Sequence, residues 1–396
     1  MFAACIAADS GAKVMLLDHN DRLGKKLSIT GKGRCNLTND CSVTDVLRNV
    51  PAGSRFLHSA VNGFKPQDVM LFFESLHVPL KVERGGRVFP QSDKASDIVG
   101  ALERFMKSKG VSIKRSRALG LITENGNISG VKTPDGVMHT SSVILATGGM
   151  TYPSTGSTGD GYKMASELGH RITPLKASLV PLAADPETCS RMQGLTLKNV
   201  RLSVFDGGKK PVFEDFGELL FTHFGISGPL TLSASAHMRD FEKKKYYALI
   251  DLKPALDEKK LDLRIQRDFM KYSNRDFSNA LYDLLSRTLI PVIIEKSGIP
   301  PETKPHSISR EQRLGLGRLL KSFRIDIAGP RPIDEAIITS GGIDLVEVNP
   351  KTMESKLAGG LFFAGEILDA DAYTGGFNLQ IAWSTAYAAA RAAVCI

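Results

Sequence analysis

Residues 357–393, LAGGLFFAGEILDADAYTGGFNLQIAWSTAYAAARAA, restrict the fold more than any other stretch of the chain. They read as strand, loop and helix. The apolar run 361–364 follows two glycines and has the length and character of a buried parallel strand. Gly365 and Glu366 end it, Asp369 and Asp371 lie in the loop, and Gly375-Gly376 lead into a small-residue helix starting near Asn378. The first N–H groups of a helix have no internal partner and the macrodipole is positive there. A strand feeding a glycine turn and a helix start therefore suits an anionic group. An ordinary strand–helix unit with a glycine loop accounts for the same residues.

A chain of 396 residues can bury a sizeable core and divide into two or three domains. Its hydrophobic content of 42% and charged content of 23% are those of a soluble globular protein, and its apolar runs are too short to span a membrane. The opening MFAACIAAD has no basic n-region and no spaced cleavage site, so no signal peptide is expected. Cysteines at 5, 35, 41, 189 and 395 form an odd set without metal spacing. They point to free thiols in a reducing cytoplasm and to no metal site. The net charge of +9 comes from scattered basic residues without a nucleic-acid-binding motif. A basic solvated surface is the expected reading, and nucleic acid is not an expected partner. An anionic nucleotide would account for part of the charge.

In chain order, residues 1–10 read as an Ala-rich helix closed by Gly11, and residues 13–18, KVMLLD, as a buried strand ending in an acid. In a dinucleotide-binding unit such an acid takes the ribose hydroxyls, roughly 20 residues after a glycine fingerprint. Asp18 stands in that place, although a strand-terminal turn acid is an equal reading. The fingerprint and its strand are absent from this sequence, and a start codon placed late is the expectation. Residues 22–39, RLGKKLSITGKGRCNLTN, combine Gly24, Gly31 and Gly33 with Lys25, Lys26, Lys32 and Arg34, which suits a phosphate-contacting loop. Cys35 beside Arg34 is expected to be a small buried cysteine, with a reactive thiol the lesser reading. Helices are expected over 66–76 and 92–109, a turn and short strand over 83–90, and a parallel strand over 111–114. Residues 117–140 form a three-stranded meander with turns at Asn125-Gly126 and Pro134-Asp135-Gly136. Residues 142–149, SVILATGG, are then a parallel strand ending in glycines. Residues 156–161, GSTGDG, lack a Walker ending and are expected to cap the next helix.

A meander hung between parallel strands and closed by ATGG is how the FAD domain of glutathione-reductase-like flavoproteins is built. The chain resembles the BaiN-like (YhiN-type) family of NAD(P)/FAD-dependent flavoproteins over essentially its whole length. The carrying motifs are LGKKLSITGKGRCNLTN (23–39), ATGGMTYPSTGSTGDGY (146–162), GELLFTHFGISGP (217–229), TSGGIDLVEVNPKTMESK (339–356) and GLFFAGEILDADAYTGGFNLQIA (360–382). Each alone is weak and together they are specific. The resemblance implies an α/β fold: a Rossmann-type FAD-binding domain with inserted β-barrel-like and helical domains, lacking the first strand and GxGxxG. It implies that Asp18 holds the adenosine ribose, and that Lys26, Gly31, Gly33, Arg34, Cys35 and Asn36 line the cofactor. Ala118 and Leu119 would lie near the adenine, and Ala146, Thr147 and Gly148 along the pyrophosphate. Gly365 and Glu366 would meet the ribityl chain, and Asn378, Leu379 and Gln380 the flavin pyrimidine, where the helix N-terminus would stabilise the negative charge of a reduced ring. Asp371-Ala372-Tyr373 departs from the Asp-Gly pair often found there.

The expected domains are 1–172 (first part of the FAD domain), 173–253 (inserted β-rich domain), 254–325 (inserted helical domain) and 326–396 (return to the FAD domain). The resemblance implies an FAD-dependent oxidoreductase moving hydride between flavin N5 and NAD(P)H or a small organic substrate. NAD(P)H is a candidate co-substrate, docking without a second dinucleotide domain. Alternatives are a flavin oxidase or desaturase that does not use nicotinamide, and a non-catalytic, nucleic-acid-associated flavoprotein. His223, in the glycine-rich run Thr222-His223-Phe224-Gly225, is the candidate for proton transfer, against an equal reading in which it fixes its loop. Tyr152 and Tyr373 flank glycine loops and would either cover the ring or pack. Oligomeric state is not legible.

Overall fold

A computed structural model describes residues 1–238 and 240–395. The chain divides into two compact units, Met1–Ser178 with Pro332–Ile396, and Leu179–Arg331.

In the first unit the opening helix, Phe2–Asp9, buries every residue but Asp9. The strand Met15–Leu17 runs parallel to Ser112–Lys114, with Leu16 opposite Ile113. The meander follows as Gly120–Glu124, Asn127–Thr133 and Gly136–His139, all antiparallel. Its first turn has Asn125 at φ 51° and Gly126 at φ 78°, the paired positive values that the favoured hairpin turn requires. The strand Val143–Leu145 then runs parallel to Leu361–Phe363, with Phe363 opposite Leu145. These parallel pairs are separate two-stranded sheets. Phe362 and Phe363 are fully buried, as a strand covered on both faces requires. The C-terminal helix, Phe377–Ala393, lies on the opening helix and on Ser54–Gly63. Trp383 anchors it: its ring meets Phe2 and Phe73 edge-on, and its indole N–H donates to the Leu37 carbonyl at 2.8 Å.

The second unit is a closed six-stranded barrel. In order around the barrel its strands are Leu182–Ala184, Gly225–Ser227, Phe213–Thr222, Thr196–Phe205, Tyr246–Asp251 and Phe323–Pro330. Four helices, Glu258–Lys271, Phe277–Ala280, Ile290–Ser297 and Arg310–Lys321, intervene before the last strand. The sequence divides these residues into a β-rich domain ending at 253 and a helical one ending at 325. The structure joins them, and a boundary at 326 falls inside the closing strand. The reason is the core: Leu261, Ile265, Leu316 and Leu320 of the helices share one apolar cluster with Leu202, Val204, Ile250 and Ile325 of the barrel. The helical stretch completes that core rather than building its own. No helix among the described residues is long and apolar enough to cross a membrane.

Candidate cofactor site

The parallel strands Val143–Leu145 and Leu361–Phe363 end side by side, so the loops after them lie together beyond their carboxyl ends, as a candidate crevice. Such crevices are where open α/β sheets bind ligands. Ala146 is exposed immediately beyond the first strand, and Gly148 turns the chain at φ 75°. Beyond the second strand, Gly365 turns at φ 77° and donates its N–H to Thr385 Oγ1 at 3.0 Å. Glu366 follows. Its carboxylate accepts the Lys26 ammonium at 2.6 Å, the Thr339 N–H at 2.9 Å and the Thr151 hydroxyl at 3.3 Å. Lys26 also donates to Thr151 Oγ1 at 2.8 Å, and Thr339 Oγ1 accepts the Met150 N–H at 2.8 Å. The Lys26 and Glu366 side chains remain 24% and 20% exposed, so the pair is fixed yet reachable.

Asp18 lies where the first parallel strand ends. Its Oδ1 accepts both the backbone N–H and the side-chain amide of Asn20, each at 2.9 Å, which sets the turn and leaves Oδ2 outside those bonds. Asn20 also donates to the Thr155 carbonyl at 3.1 Å. The loop between Thr151 and Gly159 therefore reaches from the Lys26–Glu366 pair to the Asp18 turn. The Thr147 hydroxyl is buried without a partner and faces Gly161, where a β-carbon would lie 2.0 Å from it. Leu119 is 52% exposed and its N–H donates to the Lys132 carbonyl at 2.8 Å, and the neighbouring Ala118 is half-buried.

The C-terminal helix starts from Gly376 at φ 98°, and its first internal bond runs from the Gln380 N–H to the Gly376 carbonyl at 3.0 Å. The N–H groups of Phe377, Asn378 and Leu379 precede that bond. The Asn378 side chain bonds Ala372, accepting its N–H at 2.8 Å and donating to its carbonyl at 2.7 Å. Asn36, with its amide oriented to suit its neighbours, accepts the Gly376 N–H at 3.0 Å and donates to the Thr38 and Val88 carbonyls.

Three expected contacts turn inward instead. Gln380 is fully buried: it accepts the Thr38 hydroxyl at 2.5 Å and donates to the Phe64 carbonyl and to Ser384, each at 2.9 Å. Arg34 is matched by Glu83 and by Asp93 at 2.6 Å and lies over the Phe89 ring, so its charge is spent within the protein. Cys35 is fully buried, and burial pushes its thiol up to about 12, which removes the reactive thiolate at neutral pH. Asn20, Thr151 and Thr339, which single-residue reasoning passes over, hold the acids. The only sequence signal for the two threonines is their position inside the longer motifs.

His223 belongs to the barrel unit. It is exposed in the turn between Phe213–Thr222 and Gly225–Ser227, with its ring edge-on to Phe224. Tyr152 is half-buried and holds a left-handed backbone at φ 54°. Among the described residues no group of three or more His, Cys, Asp or Glu is arranged to hold a metal ion.

Comparison with known proteins gives a match of residues 1–392 to the family described as HI0933-like protein Rossmann domain. A 3-dehydro-bile acid delta(4,6)-reductase of Clostridium scindens is 29% identical over 98% of this chain and 95% of its own length. A ribosomal RNA dihydrouridine synthase of Escherichia coli is 28% identical over 99% of this chain and 94% of its own. Among solved structures, the open conformation of a flavocytochrome c3 fumarate reductase aligns with a TM-score of 0.48 at 18% identity, over 100% of this chain and 76% of that one.

Proposed function

Given that the chain belongs to the HI0933-like Rossmann-domain family, we propose that it is an FAD-dependent oxidoreductase reducing a carbon–carbon double bond conjugated to a carbonyl, with NAD(P)H as reductant. The observation that carries the reading is the near full-length match to two kinds of relative whose names describe one chemistry. A 3-dehydro-bile acid carries a C3 ketone conjugated with its delta-4,6 double bonds. Dihydrouridine is uridine whose ring double bond, itself conjugated to a carbonyl, has taken up two hydrogens.

The residues of the crevice suit FAD in kind. Asp18 Oδ2 lies outside the bonds that set its turn, as a ribose-binding carboxylate needs. The N–H groups of Phe377, Asn378 and Leu379 precede the first helical bond, as donors to an electron-rich ring need. When bound, FAD would supply the two-electron redox chemistry. Asp18 would then hold the adenosine ribose, and the helix start would orient the flavin pyrimidine. Glu366 would take ribityl hydroxyls on the oxygen lone pairs left by Lys26, Thr151 and Thr339. The Lys26 ammonium, 2.6 Å away, holds that carboxylate in one rotamer. Gly31, Gly33, Ala146, Gly148 and Gly365 would line FAD through backbone shape, and Asn36 through its amide, which holds the Gly376 N–H at the helix start.

For the substrate, a small enone is the first reading, and the dihydrouridine synthase relatives favour uridine in RNA as the second. The test is an anaerobic incubation of the protein with FAD and NAD(P)H, offered a conjugated steroid ketone or uridine-containing ribosomal RNA. Loss of the enone absorbance supports the first reading and dihydrouridine in the RNA digest the second. Bleaching of the flavin with neither substrate consumed contradicts the reaction class, and a flavin that NAD(P)H leaves oxidised contradicts the nicotinamide link.

A further inference from the structure

The barrel unit carries most of the chain's positive charge. Residues 179–331 hold 25 Lys and Arg against 19 Asp and Glu, a net +6 of the chain's +9. These cations are scattered along the sequence, and the fold decides which of them stay unmatched. Arg264, Lys271, Lys304 and Arg313 each meet an aspartate of the helical stretch at 2.6–2.8 Å. Arg275 and Arg287 have no carboxylate partner among the described residues. Each lies over a tyrosine instead, Arg275 at 5.2 Å from the centre of the Tyr272 ring and Arg287 at 5.8 Å from that of Tyr282. Arg324 shows the contrast: Asp326 holds its guanidinium, which packs 4.2 Å from the Tyr247 ring. Arg275 and Arg287 sit further out, and no acceptor among the described residues takes their guanidinium N–H groups.

The two arginine–tyrosine pairs are joined. Asp283, next in the chain to Tyr282, accepts the Tyr272 hydroxyl and the Lys271 ammonium, each at 2.6 Å, so its charge is matched within the protein. Beside Tyr282 lies a groove of about 380 Å³, lined by Ile290, Pro291, Ile294 and Pro301, with Arg287 and Ser278 as its other polar residues. That volume falls within the roughly 300–1,000 Å³ of small-ligand sites. Its wall is fixed by the backbone: the Ser278 N–H donates to the Pro301 carbonyl at 3.1 Å, and the Phe277 N–H to the Thr303 carbonyl at 2.8 Å. Tyr282 is 50% exposed, so its ring remains open to a partner. An apolar groove edged by an open tyrosine and an unmatched arginine suits a planar ring carried on an anionic chain. Unpaired bases of single-stranded RNA are held in this way, stacked on aromatic side chains with cations along the backbone.

We propose that this groove of the barrel unit binds an unpaired nucleotide of an RNA strand, its base against Tyr282 and its backbone phosphates on Arg287 and Arg275. The net charge of the unit complements a polyanion. The proposal rests on the RNA reading of the function given above, and adds to it a point of attachment on the barrel unit.

The test uses purified full-length protein supplied with FAD. Binding of a labelled single-stranded, uridine-containing RNA is followed by anisotropy across a salt series, beside the same RNA annealed to its complement. Wild type is expected to bind the single strand roughly tenfold more tightly than the duplex, whose bases are not free to enter the groove. The double variant Arg275→Gln, Arg287→Gln is expected to lose roughly tenfold or more in affinity, with a salt slope shallower by about 0.7 for each phosphate contact removed. Tyr282→Leu keeps the groove apolar and is expected to lose roughly tenfold with the slope unchanged. All three positions are exposed, so the variants are expected to keep the wild-type thermal midpoint. RNA bound equally by wild type and by every variant overturns the groove and leaves the RNA reading standing. A duplex bound as tightly as the single strand overturns base insertion. A labelled proline-rich peptide that wild type binds and Tyr282→Leu does not, with RNA affinity unchanged, assigns the groove to a protein partner instead. A wild type that binds neither this RNA nor ribosomal RNA overturns the RNA reading, and the groove with it.

Discussion

Gly149 illustrates how the crevice is set residue by residue. A β-carbon there would lie 2.3 Å from Thr339 Oγ1 and 2.8 Å from Glu366 Oε1, inside the bonds that fix the glutamate. Neither neighbour can yield without breaking a hydrogen bond: Thr339 holds the Met150 N–H, and Glu366 holds Lys26. Gly149→Ala is therefore expected to cost about 2–3 kcal/mol of stability, within the range for forced overpacking, read from the urea midpoint. A wild-type midpoint would show that the cluster is looser than its distances imply. At this scale the sequence exposes the acids and hides their partners. Asp18 and Glu366 are legible because each ends an apolar strand at a position where ligands bind. Thr151, Thr339 and Asn20 are not, since a hydroxyl or amide gains its role only when tertiary structure brings a partner within bonding distance. Arg34 and Gln380 show the converse. Their motif is right, but each side chain is matched by protein groups, and no local pattern reveals that; Cys35 is buried, as expected for a small cysteine.

At the scale of elements, the turn after Asp160–Glu167 carries His170 into the core. Its side chain is fully covered, with Nδ1 at 3.1 Å from Glu347 Oε2, Nε2 at 2.8 Å from Ser355 Oγ and the ring edge-on to Phe363. Burial lowers its pKa, and Glu347 opposes that only in part. The unfolded chain therefore takes up the proton first, near the ordinary histidine value of about 6.5. Stability should be full above that pH and decline as pH falls through the lower folded value. The expected result is a urea midpoint that drops between about pH 7 and pH 5 in wild type, with a smaller drop in His170→Gln. Parallel curves would contradict the assignment. Helices and the meander were the legible elements: apolar spacing gave Pro66–Ser75 and Ala95–Ser108, and Asn125-Gly126 gave the hairpin. The closing barrel strand, Phe323–Pro330, was not separable from the helices before it. It pairs with Tyr246–Asp251 and Leu182–Ala184, both distant in sequence.

For the whole molecule, the barrel unit has its own core, and its two ends meet where the Arg331 N–H bonds the Pro181 carbonyl at 3.0 Å. A segment with its own core and adjacent termini is expected to fold alone. Residues 179–331 expressed by themselves should unfold in one cooperative step with dispersed amide resonances. A chain without a transition would mean that this core depends on the remainder. The fold class was legible at this scale because a meander between parallel strands restricts topology strongly. The join of barrel and helices was not, because a shared core leaves no composition break at its boundary. In the proposed function, FAD lies between Asp18 and the helix start at Phe377. The most direct measurement is the visible absorption spectrum of the purified protein titrated with FAD, beside Asp18→Asn, which keeps the Oδ1 acceptor for Asn20 and loses the charge. Wild type is expected to show structured, protein-bound flavin bands, and the variant an affinity weaker by roughly tenfold or more. A wild-type spectrum that stays that of free flavin at every concentration would contradict it.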